Sequence, residues 1–238
     1  MKLSIVIPAY NEEKRIMPTL SSLTVYLEKE QMPYEIIVVD DGSKDKTAEL
    51  IEKAAKIDSR VKLLKNPGNK GKGYSVRNGM LKAEGDFVLM YDADGATPPE
   101  EISKLFLRGE SPSWDVAIGS RRISGANIIK KQGFFREING KMFSLFTRAM
   151  LPEIRAIVDT QCGFKAFRKN AAREIFGRAK IDGFSFDIEA LLLAKKMGFV
   201  VKEIPVNWIN DDDSRVSVAK NLKAVLAELW RIRLGTKY

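Results

Sequence analysis

Phe87-Val88-Leu89-Met90-Tyr91-Asp92-Ala93-Asp94 decides how this chain is read. Five apolar residues in a row predict a buried strand. Two carboxylates follow at i and i+2, so both emerge at the strand's carboxyl end. Acids placed there can meet a divalent cation and the ribose of a nucleotide, and the cation can neutralise a diphosphate leaving group. The same residues also suit an acidic turn that caps the next helix through Asp94 or Thr97. Their neighbours decide between these readings.

Outward from this stretch, Leu3–Ile7, Ile36–Val39, Val61–Leu64 and Val116–Ile118 also read as buried strands. Between them, Ile16, Leu20, Leu23 and Leu27 fall at helical spacing, as do Leu50, Ala54 and Ile57. Ser43 and Asp45 are placed to cap the second helix. This β-α-β-α order predicts an α/β fold, a mostly parallel sheet flanked by helices. In such sheets ligands collect at the carboxyl ends of the strands. Beyond residue 120 the pattern changes. Lys131–Leu151 reads as an amphipathic helix with Phe135, Ile138, Met142, Leu145 and Phe146 on one stripe. A loop at Pro152–Asp159, a strand at Phe164–Phe167, a helix over Ser185–Met197 and a strand at Val200–Val206 follow. A last helix over Val216–Leu234 carries Val218, Leu222, Val225, Leu229 and Ile232 in register. Trp114, Trp208 and Trp230 read as packing residues. With no repeat or linker, residues 1–238 read as one domain, with 1–120 the nucleotide-binding half and 121–238 the acceptor-binding half.

Three other segments join Asp92 and Asp94. Asp40-Asp41-Gly42-Ser43 ends the second strand, where Asp41 can accept from a base N–H or a ribose hydroxyl. Asp-Gly-Ser is also ordinary turn chemistry. Pro8-Ala9-Tyr10-Asn11-Glu12 follows the first strand. There Pro8 ends the strand, Tyr10 can stack on a base, and Glu12 falls in the first turn of the next helix, with Asn11 as an alternative N-cap. Asn69-Lys70-Gly71-Lys72-Gly73 precedes a helix at Tyr74–Lys82, where amides and lysine charge suit phosphate. It is not a P-loop, and no Gly-x-Gly-x-x-Gly follows the first strand, which disfavours a dinucleotide enzyme. Three strand ends that deliver polar clusters to one sheet edge are the strongest signal in the chain.

Composition narrows the chemistry. The chain has 238 residues and a formal charge of +9. From Arg108 to Arg178 there are 14 Lys/Arg against 6 Asp/Glu, a basic middle that suits anionic partners. There is no histidine, which excludes His triads, His general bases and His-ligated zinc. A metal would be held by oxygen, so Mg²⁺, Mn²⁺ or Ca²⁺. Cys162 is the single cysteine, which fits a reducing compartment, and it reads as packing and not as a nucleophile. No apolar run reaches the ~18–20 residues that span a bilayer. The expectation is a cytoplasmic protein, peripheral on the cytoplasmic membrane face.

Pro8–Glu12, Asp40–Ser43, Asn69–Gly73 and Asp92–Asp94 together resemble glycosyltransferase family 2, from about Leu3 to Trp208. Tyr91–Thr97, Gly119-Ser120-Arg121 and Asp159-Thr160-Gln161-Cys162-Gly163-Phe164-Lys165 narrow the resemblance to the dolichyl-phosphate sugar synthases. The last string is nearer to the β-glucosyltransferases than to the mannosyltransferases, which usually carry Ser where Cys162 stands. The resemblance implies a GT-A fold, a UDP- or GDP-sugar donor, and Mg²⁺ or Mn²⁺. It implies that Pro8, Tyr10, Glu12, Asp40, Asp41, Lys72, Asp92 and Ala93 hold the nucleotide. Asp92 and Asp94 would bind metal, and Arg121 and Arg136 would grip the acceptor phosphate. Asp159 and Gln161 would lie near the transferred sugar. Arg215 stands in Ser214-Arg215 where the family places a donor-phosphate lysine, after an unusual Asp211-Asp212-Asp213.

The implied reaction moves a hexose, with inversion, from UDP-glucose to dolichyl or polyprenyl phosphate. GDP-mannose as donor and a soluble sugar as acceptor are the alternatives. A phosphate acceptor is already mostly ionised at neutral pH, its second pKa being ~6, so it needs no general base. A sugar hydroxyl would want one, and Asp159 is the candidate. The basic middle favours the phosphate. The Lys131–Leu151 stripe, flanked by Lys130, Lys131, Arg136, Lys141 and Arg148, suits a membrane surface as well as a core. Peripheral membrane contact or a membrane partner protein is expected. A polyanion-binding module is the non-enzyme alternative. Nucleic acid is disfavoured because no recognition motif or stacking platform accompanies the charge.

Overall fold

The computed structural model describes residues 1–106, 112–130, 144–209 and 218–235. The first half runs β1 (Leu3–Ala9), α1 (Ile16–Lys29), β2 (Tyr34–Asp40), α2 (Thr47–Ile57), β3 (Val61–Lys65), α3 (Lys72–Lys82), β4 (Phe87–Tyr91) and the short α4 (Ile102–Leu105). There follow β5 (Val116–Ser120), β6 (Asn127–Lys130), α5 (144–150), β7 (Phe164–Arg168), α6 (Lys169–Arg178), α7 (Phe186–Lys196), β8 (Val201–Pro205), β9 (Asn207–Ile209) and α8 (Val218–Gly235). Seven strands form one sheet in the order β3-β2-β1-β4-β7-β5-β8, so both halves of the chain share it. β6 and β9 pair beside it as a parallel ribbon.

Every residue of β1 and β2 is buried, as expected of parallel strands covered on both faces. Alternation sends Val6, Val39, Met90 and Phe167 into one core layer with Leu191 and Leu229. It sends Ile5, Ile7, Leu89 and Phe164 into the other with Leu23 and Trp114. β7 is the exception to parallel order, running antiparallel to both β4 and β5. Its amino end therefore lies at the carboxyl end of β4, with Tyr91 opposite Phe164. β5 and β8 point the same way as β4, so Arg121 and the segment after Pro205 reach that edge too.

The structure corrects several sequence expectations. β1 runs through Pro8 to Ala9; its pairing with β4 stops at Val6, where a residue without N–H costs the sheet least. Glu12 and Asn11 precede α1, which begins at Ile16. Asp45 does accept the amide of Thr47, the first residue of α2, at 3.0 Å, but Ser43 turns away to accept the Asn11 amide. The strand expected over Val200–Val206 is β8, at Val201–Pro205, and the ribbon strand β9 begins after it at Asn207. α6 was not foreseen, although Ala171, Ala172, Ile175 and Phe176 are buried at helical spacing. Of Lys131–Leu151, residues 131–143 lie outside the described residues. In α5 the expected stripe is inverted: Ser144 and Thr147 are buried, while Leu145 and Phe146 are 68% and 42% exposed. Trp230 is exposed on α8, whose Val225, Leu229 and Ile232 face the core.

Candidate active site

The loop after β4 is built tightly. The Tyr91 hydroxyl donates to the Thr97 carbonyl, and Thr19 Oγ1 of α1 donates to the Ala93 carbonyl at 2.8 Å. The Asp92 amide donates to the Gly163 carbonyl at 3.1 Å. A Cβ on Gly163 would sit 1.8 Å from Asp92 Oδ2, so no larger residue leaves this carboxylate in place. Asp94 Oδ1 accepts the Ala96 amide at 3.0 Å. Burial first, and then the charge of Asp92, push the Asp94 carboxyl above its ordinary range. Asp92 and Asp94 thus share one loop, and burial together with the charge of Asp92 works against ionised Asp94.

One cation present is Lys72, the first residue of α3, whose Nζ lies 2.7 Å from Asp92 Oδ1. Burial alone would lower its pKa; Asp92 and Asp187 outweigh that and raise it. Below lies a second pair that sequence reasoning missed. Lys165 of β7 and Asp187 of α7 are buried and joined through Lys165 Nζ and Asp187 Oδ1, and Lys165 also donates to the Cys162 carbonyl at 3.0 Å. Burial pushes the Asp187 carboxyl up, against the pull of Lys165 and Lys72. A lysine within a buried strand was the available signal, because such a charge requires a partner.

On the β5 side, Arg121 and Asp159 form a bidentate pair: Nε to Oδ2 at 2.8 Å and Nη2 to Oδ1 at 2.8 Å. The Arg121 amide adds a third bond at 3.0 Å, and its guanidinium lies 5.3 Å over the Trp208 ring. Burial would raise the Asp159 carboxyl, but the charge and hydrogen bonds of Arg121 hold it down at about 2. Glu203 of β8, also missed, accepts the amides of Val158 and Asp159 at 2.8 and 2.9 Å. Cys162 is buried among these charges, and burial pushes its thiol up to about 12, so it carries no thiolate. Gln161 is exposed beside it.

The other sequence candidates lie at the ends of β1 and β2. Asp40 accepts the Ser43 amide. Asp41 is buried and takes Asn66 Nδ2 at 2.8 Å and the amides of Lys70 and Gly71 at 2.9 and 2.8 Å. Asp41 therefore organises the 66–71 loop, and two of the amides expected to meet phosphate are already donated to it. Gly71, at φ 105°, is a position that favours glycine, with the Asp182 carbonyl 2.3 Å from any added Cβ. Lys72, next along the chain, points instead to Asp92. The Glu12 carboxylate is held by Arg15 at 2.6 Å, and the Tyr10 ring is 39% exposed. Arg136 and Arg215 lie outside the described residues. Among the described residues no group of three or more metal-ligating side chains is assembled, and no helix is long and apolar enough to cross a membrane.

A largely parallel sheet with an Asp-x-Asp loop at its carboxyl edge defines a GT-A fold. The fold is shared at TM-score 0.68 with glucosyl-3-phosphoglycerate synthase of Mycobacterium tuberculosis, solved with Mn²⁺, UDP-glucose and phosphoglyceric acid. That match is 19% identical and covers 98% of this chain and 79% of the other. Mannosyl-3-phosphoglycerate synthase of Rubrobacter xylanophilus matches at TM-score 0.71 and 19% identity, over 100% of this chain and 75% of that one. The chain belongs to glycosyl transferase family 2, whose sequence model matches residues 4–176. Among its relatives are dolichyl-phosphate beta-glucosyltransferases of Dictyostelium discoideum and Drosophila melanogaster. The first is 35% identical over 97% of this chain and 73% of its own length. The second is 37% identical over 91% and 70%.

Proposed function

We propose that this protein transfers glucose from UDP-glucose to dolichyl or a related polyprenyl phosphate, with inversion at the anomeric carbon. The observation that carries the reading is the placement, on one sheet edge, of an acid pair and a clamped arginine: Asp92 and Asp94 beside Lys72, and Arg121 held by Asp159. The relatives named as dolichyl-phosphate beta-glucosyltransferases support the acceptor and the sugar.

Asp92 and Asp94 are hard oxygen donors and would hold Mg²⁺ or Mn²⁺. When bound, the cation neutralises charge on the departing diphosphate. Lys72 adds a positive charge beside that diphosphate. Pro8, Tyr10, Glu12 and Asp40 line the nucleoside end, with Asp41 acting through the 66–71 loop it fixes. Arg121 orients the acceptor phosphate, with Arg136 and Arg215 as further phosphate contacts, and Gln161 faces the sugar. The attacking phosphate oxygen needs no base. Asp159 supports this acceptor over a sugar hydroxyl: a carboxylate held at about 2, with both oxygens on Arg121, is a poor proton acceptor at neutral pH.

The deciding experiment offers a short dolichyl phosphate with UDP-glucose and GDP-mannose in parallel, with Mn²⁺ or Mg²⁺ and with EDTA. Metal-dependent glucosyl lipid from UDP-glucose is expected. Product from GDP-mannose alone would reassign the donor. Donor binding without lipid product from either would keep the nucleotide site and sink the acceptor.

A further inference from the structure

β9 is three residues long, and each of them touches a different part of the catalytic edge. The backbone amide and Nδ2 of Asn207 donate to the two carboxylate oxygens of Glu101, at 3.0 and 2.9 Å. The Trp208 ring lies under the Arg121 guanidinium, with 5.3 Å between the guanidinium carbon and the ring centroid. The Ile209 amide donates to the Ala96 carbonyl at 2.8 Å. Ala96 belongs to the loop of Asp92 and Asp94, and its own amide is accepted by Asp94. Glu101, seven residues beyond Asp94, is buried and also meets Lys104 at 2.7 Å. Two features set this arrangement apart from ordinary packing. Trp208 is buried yet joins neither apolar core layer. A buried carboxylate is costly unless it is bonded, and both oxygens of Glu101 bond the residue just before Trp208.

The Arg121 guanidinium is a planar fork of five N–H donors. Its pair with Asp159 uses Nε and Nη2, which fixes the fork within its plane and leaves the Nη1 end for a phosphate. Coplanar bonds resist tilt out of that plane only weakly. A ring against one face resists it and attracts the cation. We infer that β9 is a spacer that sets the acceptor arginine against the Asp92–Asp94 loop, with Trp208 and Glu101 as positioning residues. Trp208 orients Arg121, and Glu101 holds Trp208 in place through Asn207. The inference rests on the acceptor role proposed for Arg121 and deepens it. Attack of an acceptor phosphate on a bound donor sugar depends on the separation of two sites carried by different strand ends. β4 and β5 are not neighbours, since β7 lies between them. β9 spans that gap with a direct contact to each side.

The test compares wild type with Trp208→Phe, Trp208→Leu, Glu101→Gln and the double variant Glu101→Gln/Trp208→Leu. Calorimetry measures binding of citronellyl phosphate, a short saturated prenyl phosphate, with UDP and Mn²⁺ present, and separately the binding of UDP with Mn²⁺. Trp208→Leu keeps an apolar side chain and removes the ring, so it should weaken the prenyl phosphate roughly tenfold. UDP affinity should stay within about twofold, as expected of a distant site. Trp208→Phe should keep most of the affinity, because a ring face remains. Glu101→Gln keeps one acceptor oxygen and should weaken the prenyl phosphate about threefold. The double variant should lose little more than Trp208→Leu, because one residue acts through the other. Transfer from UDP-glucose should show the same order as a rise in acceptor KM with donor KM steady. Equal losses in the Phe and Leu variants, fully additive losses, or UDP affinity falling in step with that of the prenyl phosphate would overturn the proposal and make Trp208 a packing residue. If Trp208→Leu does not fold, unchanged affinity in Glu101→Gln overturns it. A prenyl phosphate that binds in the expected pattern but is never glucosylated sinks the reaction assignment and leaves the spacer standing. No binding by wild type sinks both.

Discussion

The two ends of the sheet handle buried acids in opposite ways. At the amino end, Glu35 of β2 receives Ser4 Oγ at 2.5 Å, the Glu84 amide at 2.9 Å and Lys62 Nζ at 2.7 Å. Burial would push its carboxyl up, but these partners hold it down at about 2. At the carboxyl end, Asp94 is pushed the other way by burial and by Asp92. One end is a finished hydrogen-bond network, and the other leaves repulsion in place. The contrast agrees with the site proposed at the carboxyl end, because a charge conflict left in place suits a position where a cation or ligand arrives to relieve it.

The contrast can be broken at four points. Asp94→Asn should lower transfer by roughly a thousandfold, the scale of losing charge stabilisation in a transition state, while thermal melting shows stability unchanged or higher. Steady-state rates beside calorimetric melts check both halves. Asp187→Ala strands the Lys165 ammonium in the core and should cost about 3–5 kcal/mol in urea unfolding. The double change Lys165→Met/Asp187→Leu should recover most of that, and failure to recover would mean the pair does more than satisfy itself. Glu35→Ala should cost about 2–3 kcal/mol, since a buried hydroxyl and amide lose their acceptor, with specific activity of the folded fraction preserved. Its pH signature has a definite sign. The folded pKa lies below the ordinary carboxyl value, so Glu35's contribution is whole above about 4.5 and disappears as pH falls toward 2. Unfolding midpoints across that window should fall more steeply in wild type than in Glu35→Gln. Glu203→Gln is the smallest expected effect. It removes a charge that receives two amides in front of Asp159, and roughly a tenfold rise in acceptor KM with little change in donor KM is expected.

The sequence was most readable where one residue type had one physical use. Phe87–Tyr91 is a short run of large apolar residues, which suits a strand covered on both faces, and the structure places β4 on those residues. The fold class followed from the alternation of such runs with helical stripes. What escaped was pairing at long range. Lys165 and Asp187 are 22 residues apart, and Glu203 reaches back to residues 158 and 159. No local pattern signals such partners. Nor was the direction of β7 readable, because Phe164–Arg168 carries the same apolar pattern whichever way it runs. Amphipathicity misled at α5, where Ser144 and Thr147 are buried and the larger Leu145 and Phe146 point outward.

The insertion of β7 between β4 and β5 has a consequence for synthesis. The ribosome completes β4 at Tyr91 but begins β7 only at Phe164. At ~5–20 residues per second, β4 waits about 4–15 s for the strand that covers its open edge. For that interval the nascent chain carries a four-stranded, strongly apolar sheet with an uncovered border, the kind of surface chaperones recognise. The lag also means that Asp92 meets Gly163 late. A product truncated before Gly163 therefore lacks the backbone contact that holds Asp92.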